Sequence, residues 1–391
     1  MKNSPSFEAF ITDKPLYYKE IDHERVHKAY ALLEPHIEQP LTIHVVGTNG
    51  KGSTGRIMAT LLHEAGKRVG HFSSPHIMKF NERIWLEGKD SSDEELEEAH
   101  TKLYAILGQE MSESLSYFEY TTLLAFVAME KLDVMVLEAG LGGEFDATNV
   151  CSKALSVITP IGFDHQDFLG DSIESIARTK LNSIEKEVVL GLQVYDEVYR
   201  IADEVAKEKG AVVHKVENKS YEQLLDVTEA LGWADYLYEN AKLATKALDI
   251  LALPYRLESL KELKIFGRFY PLLSNVTIDV GHNLLGAKAL KRALKKKYKD
   301  KKVILVYNTL DDKDYESILL EFKESIKCVE LIHISTDRAV KEENLKEVLN
   351  KLDITYKSFD GLDNNEIYFV FGSFYVVEAF LKKIDFNFKK K

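Results

Sequence analysis

Residues 41–46, Leu-Thr-Ile-His-Val-Val, form a short and almost unbroken apolar run that stops at a glycine. Runs of the same kind recur at 69–73, 133–137, 154–159, 188–190 and 212–216. Strands that are apolar on both faces are buried on both faces, so these runs predict a mostly parallel sheet covered by helices. The segments between them change period. Ile57, Met58, Leu61, Leu62 and Ala65 repeat at helical spacing, with Gly66 at the stop. Helical patterns also cover 93–107, 118–131, 173–184 and 236–251, the last ending before Pro254, and an amphipathic stretch from Tyr17 to Glu34 precedes the first strand.

The pattern lapses between Pro254 and Pro271 and then restarts. Strands are predicted at 275–280, 303–307, 329–334 and 367–371, and helices at 284–297, 315–326, 341–352 and 374–383. A chain of 391 residues accommodates two domains. The expected architecture is α/β. An N-terminal domain with a mostly parallel sheet spans 1–264. A hinge follows at 265–270, and a smaller C-terminal α/β domain spans 271–391.

The first strand leads into Gly47-Thr-Asn-Gly-Lys-Gly-Ser-Thr54 and then into a helix. That order builds a cradle for nucleotide phosphates and makes the 1–264 domain one of the P-loop ATPase type. Gly47, Gly50 and Gly52 let backbone N–H groups approach an anion, Asn49 lies in the same loop, Lys51 adds a point charge, and Ser53 or Thr54 opens a helix whose dipole faces the anion. The loop departs from a strict Walker A motif. Val45 stands where the first glycine would be, and an extra glycine separates Lys51 from the hydroxyl.

Other strand ends carry polar residues. Ser73-Ser-Pro-His76 follows the second run, and its hydroxyl before proline suits a metal or phosphate contact. Glu138 ends an apolar run and precedes Gly140, Gly142 and Gly143. Open α/β sheets place ligands at strand carboxyl ends, and a carboxylate facing a phosphate loop is a natural Mg²⁺ ligand. Asp164 and His165 follow the next strand. Lys180, judged by periodicity alone, reads as a surface lysine. In the second half, Arg268 is a candidate phosphate contact, Asp279 a candidate for a ribose hydroxyl, and Gly372-Ser-Phe-Tyr375 closes another strand.

Charge and cysteine content narrow the class. The formal net charge is −12, which disfavours nucleic acid as a partner and requires any phosphate site to be locally positive. The lysine-rich stretches at 295–302 and 389–391 read as a solvated helix end and a tail. Two cysteines, Cys151 and Cys328, make no disulfide framework and no cysteine zinc motif, which suits a reducing cytoplasm. The N-terminus reads as neither signal peptide nor membrane span.

Taken in order, the phosphate loop, Ser-Ser-Pro-His with Phe-Asn-Glu-Arg, and Leu-Gly-Gly with Asp-Ala-Thr-Asn resemble the folylpolyglutamate synthase and dihydrofolate synthase family, within the Mur-type ATP-dependent amide ligases. The resemblance runs tightly from Leu41 to Lys180 and more loosely from Tyr236 to Phe380. It implies a Mur-ligase-type ATP domain and a C-terminal glutamate-ligase domain. The implied activity joins L-glutamate to dihydropteroate, to reduced folates, or to both, with ATP and two Mg²⁺ ions, in a cytoplasmic monomer without nucleic-acid or membrane partners.

The resemblance also assigns residues. Asn49, Gly50, Lys51, Gly52, Ser53, Asn240, Arg268 and Asp279 fall on ATP contacts. Ser74 and Glu138 fall on ligands of the first Mg²⁺ and His165 on a ligand of the second. Lys180 matches the lysine that the family converts to a carbamate, making an anionic metal ligand of it. Lys51, Glu138, His165 and Lys180 are thus the implied catalytic set. Ser116, Tyr117, Phe118, Glu119, Phe145, Asp146 and Ala147 fall on the pterin side, and His282 and Ser373 near the incoming glutamate. Two departures stand out. The family's Glu-Lys-Ala-Gly-Ile is Thr179-Lys-Leu-Asn-Ser183 here, and its Asp-Gly-Ala-His-Asn-Pro is Asp279-Val-Gly-His-Asn-Leu284. Two other readings stay open: a Mur-type ligase acting on a cell-wall precursor, and a nucleotide-regulated binding module.

Overall fold

The computed structural model describes residues 5–15, 22, 24–299 and 301–386. Tyr17 and its neighbours through Ile21, in the predicted N-terminal helix, lie outside the described residues, as does the 389–391 lysine tail. The described helix of that region is Arg25–Leu33.

Two sheets organise the chain. The first contains β1 (Leu41–Val46), β2 (Val69–Phe72), β3 (Ile84–Leu86), β4 (Lys89–Asp90), β5 (Val134–Glu138), β6 (Leu155–Ile158), β7 (Glu187–Leu190) and β8 (Val212–Lys215). Their order is β4-β3-β2-β5-β1-β6-β7-β8. The six long strands run parallel, and β3 and β4 add an antiparallel hairpin at one edge. Apolar clusters form around the sheet as the runs predict. One gathers Phe72, Leu123, Met135 and Leu137, and another gathers Val46, Ile158, Ile176, Leu181 and Val188.

The hairpin escaped the sequence reading because its strands are too short to show a period. In its turn Glu87 and Gly88 both have positive φ, 46° and 99°, as a tight two-residue hairpin requires. The helix expected at 93–107 continues to Ser114 after an interruption at Gly108, whose φ of 73° and ψ of 169° are not helical. The helices Asp196–Lys209 and Glu222–Ala230 were also missed. The first carries acids in its first turn, lysines in its last, and Gly210 as a left-handed cap.

The second sheet contains β9 (Tyr270–Leu273), β10 (Val276–Ile278), β11 (Val303–Tyr307), β12 (Ile326–Leu331), β13 (Tyr356–Ser358) and β14 (Tyr368–Phe371). Its order is β13-β12-β11-β14-β10-β9, parallel except for β9. β12 begins and ends earlier than the apolar run at 329–334 suggests. Its partner β11 is five residues long, and the pairing closes where Tyr307 meets Leu331.

The chain forms two compact units. One comprises the chain up to Gly162 with Gln166–Leu231 and Glu239–Leu263. The other comprises Phe163–His165, Gly232–Tyr238 and everything from Lys264 onward.

Candidate active site

The first unit carries the phosphate loop at the carboxyl end of β1, in the middle of its sheet. Gly47 has a φ of 155°, and a Cβ there would lie 2.0 Å from Thr159 Oγ1 and 2.9 Å from its carbonyl oxygen, so only glycine fits. The N–H groups of Thr48 and Asn49 both donate to Pro160 O, at 3.0 and 3.2 Å. Gly162 N–H donates to Thr48 Oγ1 at 3.1 Å. The segment after β6 therefore braces the loop.

Gly50, with φ at 90°, starts the Lys51–Glu64 helix and lets its N–H groups point outward. Lys51 folds back, its Nζ donating to Gly47 O at 3.2 Å and Thr48 O at 3.3 Å. Ser53 Oγ and Thr54 Oγ1 are buried without a hydrogen-bond partner. So is Asn240 Nδ2, whose side-chain oxygen crowds Gly50: a Cβ on that glycine would lie 2.6 Å away. Orphan polar atoms are rare in folded proteins, and three beside one helix N-terminus mark a place that completes itself with a ligand.

Glu138 closes this site on the side of β5. The register pairs Val45 with Glu138, which brings the carboxylate to the level of the phosphate loop. Glu138 is buried, accepts Ser74 N–H at 3.1 Å, and lies so near Gly52 that a Cβ there would come within 3.1 Å of Oε2. The Phe-Asn-Glu-Arg stretch holds the Ser74 loop in shape. The Glu82 carboxylate accepts N–H groups from Ile77, Met78 and Lys79 at 2.7, 2.7 and 2.8 Å. Arg83 Nε donates to His76 Nδ1 at 2.8 Å.

Lys180 corrects its own sequence reading. It is 4% exposed, and its Nζ donates to Gly47 O at 3.0 Å. A lysine placed by periodicity on a solvated face is in fact packed under the phosphate loop, because Gly143 presses against its backbone: a Cβ at 143 would lie 2.6 Å from Lys180 O.

The residues expected on the pterin side divide. Ser116 and Glu119 form a capping box at the start of Tyr117–Met129, and Glu119 also pairs with Arg25 at 2.7 Å, so their polar groups serve the helix. Phe118 packs against Gly140, and Phe145 is 57% exposed on the loop after β5. Asp146 and Ala147 are buried in the same loop.

The remaining residues belong to the second unit. Asp279 is buried, and its carboxylate accepts Phe269 N–H and Gly281 N–H, both at 2.7 Å, and Tyr236 O–H at 2.8 Å. Burial raises its pKa, while the Arg268 charge and these donors oppose the rise. Arg268 lies over the Phe374 ring. Ser373 caps the Phe374–Lys383 helix, with Oγ accepting Val376 N–H at 3.2 Å.

His165, with φ at 52°, follows Asp164, the centre of a cluster that sequence reading missed. Lys313 Nζ lies 2.7 Å, Asn283 Nδ2 3.0 Å and His282 Nε2 3.5 Å from the Asp164 carboxylate. Burial acts to raise the Asp164 pKa, but His282, His165 and Lys313 together hold it well below the carboxylate range. The one available signal was Asp311-Asp-Lys-Asp314 just beyond the apolar β11.

Among the described residues no group of three or more His, Cys, Asp and Glu side chains is gathered for a metal. A carboxylate beside unpartnered hydroxyls and a helix N-terminus still fits Mg²⁺, which takes one or two carboxylates and completes its shell with phosphate oxygens and water.

A parallel α/β sheet with a variant phosphate loop, a buried strand-end carboxylate and a second α/β unit defines an ATP-dependent ligase of the Mur type. The Mur ligase middle domain profile matches residues 45–233. More narrowly, the chain belongs to the dihydrofolate synthase/folylpolyglutamate synthase family. It is 32% identical to the dihydrofolate synthase/folylpolyglutamate synthase of Haemophilus influenzae, over 87% of this chain and 88% of that one. Among solved structures, it resembles Helicobacter pylori folylpolyglutamate synthetase with a TM-score of 0.79 and 40% identity, over 96% and 97% of the two chains. It resembles a bifunctional folylpolyglutamate synthase/dihydrofolate synthase with Mn, AMPPNP and L-glutamate bound with a TM-score of 0.81 and 28% identity, over 97% and 98%.

Proposed function

We propose that this protein uses ATP to join L-glutamate to dihydropteroate and to reduced folates, as a bifunctional ligase. The observation that carries the reading is the set of orphan hydroxyls at the Lys51–Glu64 helix N-terminus facing the buried Glu138, in a chain of this family. The γ-phosphoryl group passes from ATP to the acceptor carboxylate, breaking the bond to ADP and forming an acyl phosphate. The glutamate amine then attacks the acyl carbon, loses a proton and expels phosphate. Lys51 and the helix N-terminus offset the charge on the transferred group, which is most of what such a step requires.

A divalent metal supplies further charge neutralisation when bound. Ser74 and Glu138 would hold one ion; His165 is assigned to a second, and a carbamylated Lys180 is assigned as a metal ligand. Lys180 is buried at a carbonyl of the phosphate loop, where addition of CO₂ to its neutral amine, with loss of a proton, would turn a cation into a two-oxygen ligand. Arg268 and Asp279 are assigned to the nucleotide, His282 and Ser373 to glutamate, and Phe118, Phe145 and Ala147 to the pteridine. The same reading makes the protein a cytoplasmic monomer. Among the described residues no helix is long and apolar enough to cross a membrane.

A ligase acting on a cell-wall precursor is less well supported, because the resemblance to folate ligases spans nearly the whole chain. The test is phosphate release from Mg·ATP and glutamate, with dihydropteroate or tetrahydrofolate added separately. Release with both is expected. Release with neither at saturating substrates overturns the reading in favour of the cell-wall ligase or a binding module.

A further inference from the structure

Beneath the loop after β5 a buried polar chain joins Asp146 to His44 and Thr148, two residues that have none of the roles above. His44, in β1, places Nε2 at 2.8 Å from Thr148 Oγ1. Thr148 Oγ1 lies 2.5 Å from Asp146 Oδ1, and Thr148 N–H donates to the same oxygen at 3.0 Å. The other carboxylate oxygen accepts Leu141 N–H at 2.7 Å. All three side chains are buried.

The direction of the chain follows from proton counting. Asp146 already accepts from backbone N–H groups on both oxygens, so Thr148 donates to it. A hydroxyl has one proton to give, so Thr148 must accept from His44, which therefore carries its proton on Nε2. The histidine environment agrees. His44 Nδ1 is buried with no hydrogen-bond partner, and burial, helped by the Lys153 charge, keeps the ring neutral.

The chain ends on a loop with two faces. On one, Gly143 packs against the Lys180 backbone, Glu144 N–H donates to Thr179 O at 2.9 Å, and Asn182 Nδ2 donates to Glu144 Oε2 at 2.8 Å. On the other, Phe145 projects into solvent. Asp146 closes the loop through Leu141 N–H, so whatever fixes Asp146 fixes the position of Phe145. The bonds of the chain run to residues 141, 146 and 148, not to the phosphate loop.

We propose that His44 and Thr148 are positioning residues for acceptor recognition: through Asp146 they hold the Phe145–Ala147 face at the height that meets the pteridine. The inference rests on the folate-ligase reading above for the identity of that ligand. A hydroxyl-free but equally bulky residue at 148 leaves the His44 N–H without an acceptor and Asp146 with one donor fewer. In a buried network both losses fall on the loop.

The test compares Thr148→Val with Thr148→Ser. Phosphate-release kinetics give separate KM values for dihydropteroate and ATP, and hydrogen exchange reports on amides 140–147. In Thr148→Val the dihydropteroate KM should rise about tenfold, the size expected for one lost hydrogen bond to a charged group. The ATP KM should stay within about twofold, loop exchange should quicken, and Thr148→Ser should restore all three. An unchanged dihydropteroate KM, or an equal rise in both KM values, overturns the inference. Unchanged loop exchange overturns it whatever the enzyme's substrate proves to be. A wild-type protein that releases no phosphate with either pteridine refutes the functional reading instead. If Thr148→Val does not fold, His44→Met keeps the bulk but not the donor, and the same KM split and exchange change decide the matter.

Discussion

Two glycine-rich loops leave neighbouring strands of the first sheet at the same end, and they are finished in opposite ways. The loop after β1 leaves Ser53 Oγ and Thr54 Oγ1 buried and unpartnered at a helix N-terminus. The loop after β5 satisfies itself. Asp146 accepts from Leu141 and Thr148, Asp146 N–H donates to Gly143 O, and Asn149 N–H donates to Asp146 O. An open set of donors and hydroxyls suits a ligand whose charge must be matched in the reaction. A closed set suits a surface that holds one shape whether or not a ligand lies on it. The same glycine content therefore serves two ends, and the state of the polar atoms tells them apart.

The largest break in the comparison should come from Lys51→Ala. Turnover should fall on the order of 10³-fold, the scale of losing a charge-stabilising donor, while the melting temperature barely moves. A variant with ordinary kcat would remove the phosphate loop from the mechanism. Gly47→Ala should damage the fold as well as the site. Its Cβ would fall 2.0 Å from Thr159 Oγ1 at a φ of 155°, so a loss of about 2–3 kcal/mol in denaturant unfolding is expected.

The sharpest contrast pairs Ser53→Ala with Asp146→Ala. Removing an orphan hydroxyl should leave stability within about 0.5 kcal/mol of wild type, or raise it, while lowering kcat/KM for ATP. Removing Asp146 leaves buried N–H groups unpaired and should cost about 2 kcal/mol. Should Ser53→Ala destabilise as much as Asp146→Ala, the two loops are not finished differently after all.

The last prediction concerns acid. Burial holds the pKa of His44 and His71 well below 6.5, and the Lys153 and Arg56 charges, respectively, act in the same direction. Below pH 6.5 the unfolded chain binds protons that the folded one does not, so stability is complete above that pH and is lost as pH falls. The expected slope is about 1.4 kcal/mol per pH unit for each ring. His71→Gln keeps an acceptor for Arg56, whose Nε donates to His71 Nδ1 at 3.2 Å, and should flatten the decline in melting temperature between pH 6.5 and 5.5. An identical slope in the variant would acquit His71.

The phosphate loop was legible because its chemistry is consecutive: strand, glycines, lysine and hydroxyls lie within fourteen residues. The strands of both sheets were legible for the same local reason, and the misplaced ones show the limit. β12 is bounded by its partner rather than by its own apolar run, and β3 and β4 are too short to have a period. Lys180 shows the limit for function. Its neighbours in sequence say solvent, whereas Gly47, 133 residues away, supplies the carbonyl it meets. Lys313 and Asp164 are 149 residues apart, and no pattern along the chain links them.

What the residues settled on their own is whatever depends on spacing: the α/β alternation, the glycine-rich turn from β1 into its helix, the strand-end carboxylate at Glu138 and the family those motifs mark. Folding settled which polar atoms are left over. Ser53 Oγ is unsatisfied and Thr148 Oγ1 is not, although both hydroxyls are buried, because packing sets His44, 104 residues away along the chain, 2.8 Å from Thr148 and sets no partner within reach of Ser53. Satisfaction of a hydrogen bond is a property of the neighbours that packing brings within about 3 Å, and that information is not carried by any one segment.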